Sequence, residues 1–183
     1  MKILLAITGA SGSIYGKRLL EELIKSGNQV HLIVSEEAKK IMKFETNYTF
    51  EKIKNKASFY YDNSDMFAAP SSGSFKLDAM IIVPCSMKTL SAISNGYCDT
   101  LISRAASCFL KEERKLILVI RETPLDLPAI KNILSVKQAG ATILPAMPGF
   151  YHKPKKIDDL VNFIVGRILD QLKIDHRLFK RWK

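Results

Sequence analysis

The chain has little with which to hold a metal or a disulfide. Its three cysteines, Cys85, Cys98 and Cys108, form no C-x-x-C pair, and an odd count fits a disulfide framework poorly. Its three histidines, His31, His152 and His176, lie far apart and give no zinc-ligand spacing. No protein-held metal site is expected. No apolar run reaches the roughly 18 residues needed to cross a membrane, so no membrane span is expected. There is no internal repeat, linker or low-complexity stretch. The glycines near the N-terminus do not spell G-x-G-x-x-G, and no Walker lysine follows them. Acidic residues are also short: 18 against 28 Lys and Arg, a formal charge of +10. Such a field attracts nucleic acid, phosphorylated small molecules and acidic surfaces alike. The lysines are scattered, and only the tail from His176 to Lys183 mixes basic and aromatic residues densely. Charge alone does not select the partner.

What is present suffices for one folded domain. Apolar residues are 47% of 183, enough for a core and too many for a disordered chain. Met1 to Gly9 reads as a first strand running into a glycine turn rather than as a signal peptide, and a cytoplasmic protein is expected. Strands are predicted over 2–8, 30–34, 78–84, 116–120 and 141–144. Helices are predicted over 13–26, 36–43, 86–94, 99–110, 126–139 and 157–172. Residues 46–77 show no clear regularity. Strands that alternate with helices, and that are apolar along their length, give a parallel sheet covered on both faces. The expected fold is a three-layer, doubly wound α/β domain, Rossmann-like or flavodoxin-like. Ligands of such sheets bind beyond the carboxyl ends of the strands.

Those ends carry distinctive residues. After the first strand stands Thr8-Gly9-Ala10-Ser11-Gly12. Its glycines permit a tight turn, either for packing or to let a ligand approach, and the following helix offers N–H groups to an anion. Ser35 follows the second strand and reads as a helix cap or a ligand contact. The third strand ends in Pro84-Cys85-Ser86-Met87-Lys88-Thr89. There Ser86, Thr89 and the Lys88 ammonium could surround a phosphate at a helix start. Cys85 has no histidine near it in sequence and reads as a buried thiol rather than a nucleophile. Arg121 and Glu122 close the fourth strand with opposite charges. Arg104 and Lys111 share roughly one helix face, which is either solvated or anion-binding. Arg167 stands among Phe163, Ile164 and Ile168 and should be half-buried or paired.

Taken in order, Thr8-Gly9-Ala10-Ser11-Gly12, Ser72-Gly73-Ser74-Phe75, Pro84-Cys85-Ser86-Met87-Lys88-Thr89-Leu90, Arg121-Glu122-Thr123-Pro124-Leu125 and Pro148-Gly149-Phe150-Tyr151 make the chain resemble the flavin prenyltransferase family over residues 2 to about 182. That resemblance implies an enzyme joining a dimethylallyl group from dimethylallyl monophosphate to N5 and C6 of reduced FMN. The prenylated FMN serves UbiD-type decarboxylases, including that of ubiquinone synthesis. It implies no metal and no nucleic-acid partner, and a homododecamer built from trimers with sites at subunit interfaces. By similarity, FMN is held by Gly9, Ala10, Ser11, Ser35, Ser86, Met87, Lys88, Thr89 and Arg121. The prenyl phosphate is held by Tyr151 and Arg167, with Lys111 near and Trp182 closing over the site from a tail, 173–183, that could instead pack on a neighbouring subunit. Glu122, Lys111, Arg104, Ser11 and Glu45 are implied in catalysis. The rival on the same fold is a flavin-dependent cysteine decarboxylase, which carries a Pro-Ala-Ser-Ala-Asn-Thr-like motif and a catalytic histidine. This chain has Pro-Cys-Ser-Met-Lys-Thr instead and no histidine between 32 and 151. A non-catalytic FMN-binding subunit is the other alternative.

Overall fold

The computed structural model describes residues 1–182; Lys183, the last residue of the expected tail, lies outside them. Six parallel strands form the sheet: β1 Lys2–Ile7, β2 Gln29–Val34, β3 Phe59–Asp62, β4 Ala79–Cys85, β5 Lys115–Ile120 and β6 Thr142–Ile143, in the order β3-β2-β1-β4-β5-β6. This is the Rossmann order, with its switch point between β1 and β4. The helices are α1 Ser13–Lys25, α2 Glu36–Glu45, α3 Phe50–Lys54, α4 Met87–Ser94, α5 Leu101–Lys111, α6 Leu127–Gln138 and α7 Ile157–Gln171.

The period-2 alternation of a strand sorts the core into two layers. Ile3, Leu5 and Ile7 of β1 face one side, where they meet Leu19, Leu20 and Leu23 of α1 and Ile164 and Ile168 of α7. Leu4 and Ala6 face the other, with Leu90 of α4, Ala105 and Phe109 of α5 and Val136 of α6. The two helical layers sandwich strands in which every residue of β4 is buried.

Three elements appear where no regularity was predicted, one of them a short 3-10 turn at Ala69–Ser71. The other two, β3 and α3, also lie inside residues 46–77. β3 is an edge strand whose four residues are exposed or half-buried, so its sequence, Phe-Tyr-Tyr-Asp, shows neither alternation nor a continuous apolar run. Aromatic content was its one signal. β6 is shorter than the predicted 141–144 because its pairing with β5 covers only Thr142 and Ile143.

Candidate active site

At the switch point the loops after β1 and β4 are joined by one side chain. Thr8, 1% exposed, donates its hydroxyl to the Pro84 carbonyl at 2.7 Å and accepts the Ser86 N–H at 2.8 Å. The Thr8 N–H also donates to Pro84, at 3.2 Å. Ser86 in turn caps α4, accepting the Thr89 N–H at 3.3 Å, with its oxygen 3.1 Å from the Thr89 hydroxyl. The first-turn N–H groups of Met87 and Lys88 have no intrahelical acceptor and point out of the helix start.

A cleft of about 250 Å³ opens beside this junction. Gly9, Ser35, Ser86, Met87, Lys88, Thr89 and Glu122 line it, whereas Ala10, Ser11 and Arg121 do not. Ser35 is both cap and wall: its hydroxyl accepts the Ala38 N–H at 3.2 Å while the residue lines the cleft. A Cβ on Gly9 would lie 2.6 Å from Cβ of Glu37, so α2 can approach this loop only over a glycine. Arg121 lines a separate cavity that shares Glu122, and it donates through Nε to the Ser11 carbonyl at 3.1 Å. Its Nη1 stands 3.9 Å from the Glu122 carboxylate. Ser11, Arg121 and Glu122 are therefore brought together, and Ala10 is buried at 5% exposure.

Glu45 stands where an anion was expected. Its carboxylate accepts the Gly12 N–H at 3.0 Å, the Ser13 N–H at 3.2 Å and the Ser13 hydroxyl at 3.1 Å. The start of α1 is thus capped from the end of α2, and its Gly12 and Ser13 N–H groups are not free for a ligand. Partial burial opposes ionisation of Glu45, but hydrogen bonds from Ser11, Gly12 and Ser13 outweigh it and hold the carboxyl below the usual glutamate value. Gly12 sits at φ 105°, a left-handed conformation that suits glycine. Gly16 serves packing rather than turning: a Cβ there would lie 2.7 Å from the Val83 carbonyl.

Cys85 is fully buried, and desolvation pushes its thiol up to about 12. That environment suits a structural thiol, not a nucleophile.

The remaining candidates lie elsewhere in the chain. Tyr151 and Trp182 meet edge to face, ring centres 5.3 Å apart, in a second cavity shared with His152, Lys180 and Arg181. Arg167 is exposed rather than half-buried, but it is paired, with Asp170 at 2.8 Å. Arg104 turns from the cleft to donate to the Ser71 carbonyl at 2.9 Å. Lys111 lies at the far end of α5, about 15 Å along the helix axis from its start. There it contacts Gly73 and Glu112 just before β5 begins, at the sheet edge opposite the strand ends. One chain does not bring Lys111 to the cleft.

The sequence reading missed Glu37, Asn63, Asp99, Thr100 and Ser103, which also line the cleft. Asn63 accepts the Ile102 N–H at 3.1 Å, and Thr100 with Ser103 forms a capping box. Of these, only the T-x-x-S spacing was a readable signal. Among the described residues no helix is long and apolar enough to cross a membrane, and no group of three or more His, Cys, Asp or Glu could hold a metal.

A flavoprotein family model matches residues 1–169. The flavin prenyltransferase UbiX of Methanocaldococcus jannaschii is 52% identical over 182 residues, covering 100% of this chain and 98% of its own. A crystal structure of a UbiX protein in complex with FMN and dimethylallyl pyrophosphate is similar at TM-score 0.98 and 46% identity, covering 100% of this chain and 97% of that one. A dodecameric FMN-dependent UbiX-like decarboxylase from Escherichia coli O157:H7 is similar at TM-score 0.98 and 42% identity, with both chains fully covered. The peptidyl-cysteine decarboxylase EpiD, at TM-score 0.61 and 20% identity, shares the fold alone. With full-length relatives at this level of identity, the chain belongs to the flavin prenyltransferase family.

Proposed function

We propose that the strand-end cleft receives reduced FMN and that the protein transfers a dimethylallyl group to its N5 and C6. The observation that carries this reading is the junction of the β1 and β4 loops, tied through Thr8. The residues there fit the ligand. Lys88 and Arg121 supply cations, and the outward N–H groups of Met87 and Lys88 suit a phosphate at a helix start.

When bound, reduced FMN supplies the nucleophilic atoms N5 and C6. The protein supplies position and charge. Arg121 is held against the Ser11 carbonyl, so its guanidinium is oriented before the ligand arrives. Glu122, on the cleft wall, accepts the proton that leaves C6 as the ring closes. Tyr151 and Arg167 hold the donor phosphate, and fixed cations stabilise the charge that builds on it as the allylic C–O bond breaks. Arg104 and Lys111 contribute from a neighbouring copy. The position of Lys111 beside Gly73, away from its own cleft, and the dodecameric relative support a site completed between subunits. The assembly is a homododecamer of single-domain chains acting in the cytoplasm, and its prenylated FMN is handed to UbiD-type decarboxylases.

The test is anaerobic mixing of the protein with reduced FMN and, in turn, dimethylallyl monophosphate and dimethylallyl pyrophosphate. Mass spectrometry should find a flavin carrying one added dimethylallyl unit with at least one donor. FMN bound without any new product would instead identify a non-catalytic FMN-binding subunit.

A further inference from the structure

Asp170 sits at the wrong end of a helix. It lies in the last turn of α7, where the macrodipole disfavours negative charge, and its side chain is only 17% exposed. Three groups compensate it. Oδ2 accepts from Arg167 Nη1 at 2.8 Å. Oδ1 accepts from Arg181 Nη2 at 2.7 Å and from His176 Nε2 at 3.1 Å. The Leu178 N–H donates to His176 Nδ1 at 3.3 Å, which leaves the ring proton on Nε2, facing Asp170.

His176 and Arg181 both belong to the tail that follows α7. His176 is nearly enclosed, its side chain 2% exposed. Beside it Phe179 lies in a groove over Gly166, where an added Cβ would come within 2.5 Å of Phe179 and 2.6 Å of His176. Phe179 also packs on Phe163, ring centres 4.9 Å apart. From this anchor the tail reaches Trp182, which meets Tyr151. Exposed arginine pairs alone contribute little. Here, however, the two arginines share one mostly buried carboxylate with an enclosed histidine.

We propose that Asp170 is a positioning residue that couples Arg167 to the tail. One oxygen aims the Arg167 guanidinium, and the other fastens the segment carrying Trp182 over Tyr151. The inference rests on the reading that Arg167 and Tyr151 hold the donor phosphate. On that basis, seating of the tail and orientation of the donor-binding cation are one event, and FMN binding is independent of it.

The experiment uses the FMN-loaded protein and whichever dimethylallyl phosphate the wild type turns over. Trp182 is the only tryptophan, so its fluorescence anisotropy reports the tail directly. In Asp170→Asn, donor KM should rise about tenfold, the effect of losing one charge-assisted hydrogen bond. kcat and FMN affinity should stay close to wild type, and Trp182 anisotropy should fall. Asp170→Glu should recover part of both effects. A donor KM unchanged in Asp170→Asn but raised in Arg167→Ala overturns the coupling and leaves Arg167 as a donor ligand. A donor KM unchanged in Arg167→Ala overturns that underlying reading instead. If Asp170→Asn does not fold, Arg181→Gln decides. Lowered anisotropy with a raised donor KM supports the coupling; an unchanged value of either overturns it.

Discussion

Replacing Thr8 by valine tests whether the two cleft loops are held by one hydroxyl. Valine keeps the shape of the side chain but can neither donate to Pro84 nor accept from Ser86. The Pro84 carbonyl retains the Thr8 N–H, so its loss is partial. The Ser86 N–H loses its acceptor at 2.8 Å and is left unsatisfied beside a buried residue. Leaving one such donor unpaired costs about 1–3 kcal/mol, and we take about 2 kcal/mol here. In a domain of this size each kcal/mol moves the melting point by about 2–4 °C, which gives a drop of about 4–8 °C. The melt should use FMN-free protein at one fixed concentration, because ligand and assembly both raise the apparent midpoint. Thr8→Ser keeps the hydroxyl and should stay nearer to wild type. FMN affinity, measured separately by flavin fluorescence, should weaken in Thr8→Val, since the Ser86–Thr89 turn loses its tie to β1. A Thr8→Val protein with wild-type melting point and FMN affinity would refute the argument that this hydroxyl joins the loops.

Four further outcomes are expected. Glu122→Gln should retain FMN but slow ring formation by tenfold or more on the scale of a lost general base; a single-turnover assay at the wild-type rate would count against it. Cys85 should resist iodoacetamide at pH 8 in the folded protein, with its thiol pushed up to about 12, while the half-exposed Cys98 reacts. Cys85→Ser should leave prenyl transfer largely intact, and loss of activity in a folded, FMN-bound variant would reverse that view. The carboxyl of Glu45 lies below its ordinary value, so its contribution to stability is present above the unfolded glutamate value and is lost as pH falls through the lower folded one. Glu45→Gln should flatten this part of the acid unfolding profile, and identical profiles for the two proteins would remove Glu45 as the α1 cap.

Much of this was legible because strands and turns advertise themselves locally. The apolar run at 79–83 and the polar turn after it are adjacent in sequence, so both the strand and the lining from Ser86 to Thr89 could be read directly. The order of strands in the sheet could not be, because the crossover from β3 to β4 runs through an irregular segment with no periodicity to follow. The cap formed by Glu45 on α1 was hidden for a similar reason. Its carboxylate meets Gly12 and Ser13 only after α2 has folded back against α1. Lys111 shows the converse. Its spacing from Arg104 placed both on one helix face, and both do meet the 71–73 segment, but nothing in the spacing shows that this segment lies away from the cleft.

The Glu45 cap has a consequence for ligand competition. A carboxylate tethered beside Gly12 and Ser13 acts at a high effective concentration, in the millimolar range even for flexible tethers. Inorganic phosphate at millimolar levels must therefore displace a covalently attached rival to reach the Gly12 and Ser13 N–H groups. The helix start at Met87 and Lys88 has no such internal occupant. Selectivity for where a phosphate docks is thus built in by occupying one of the two helix starts from within.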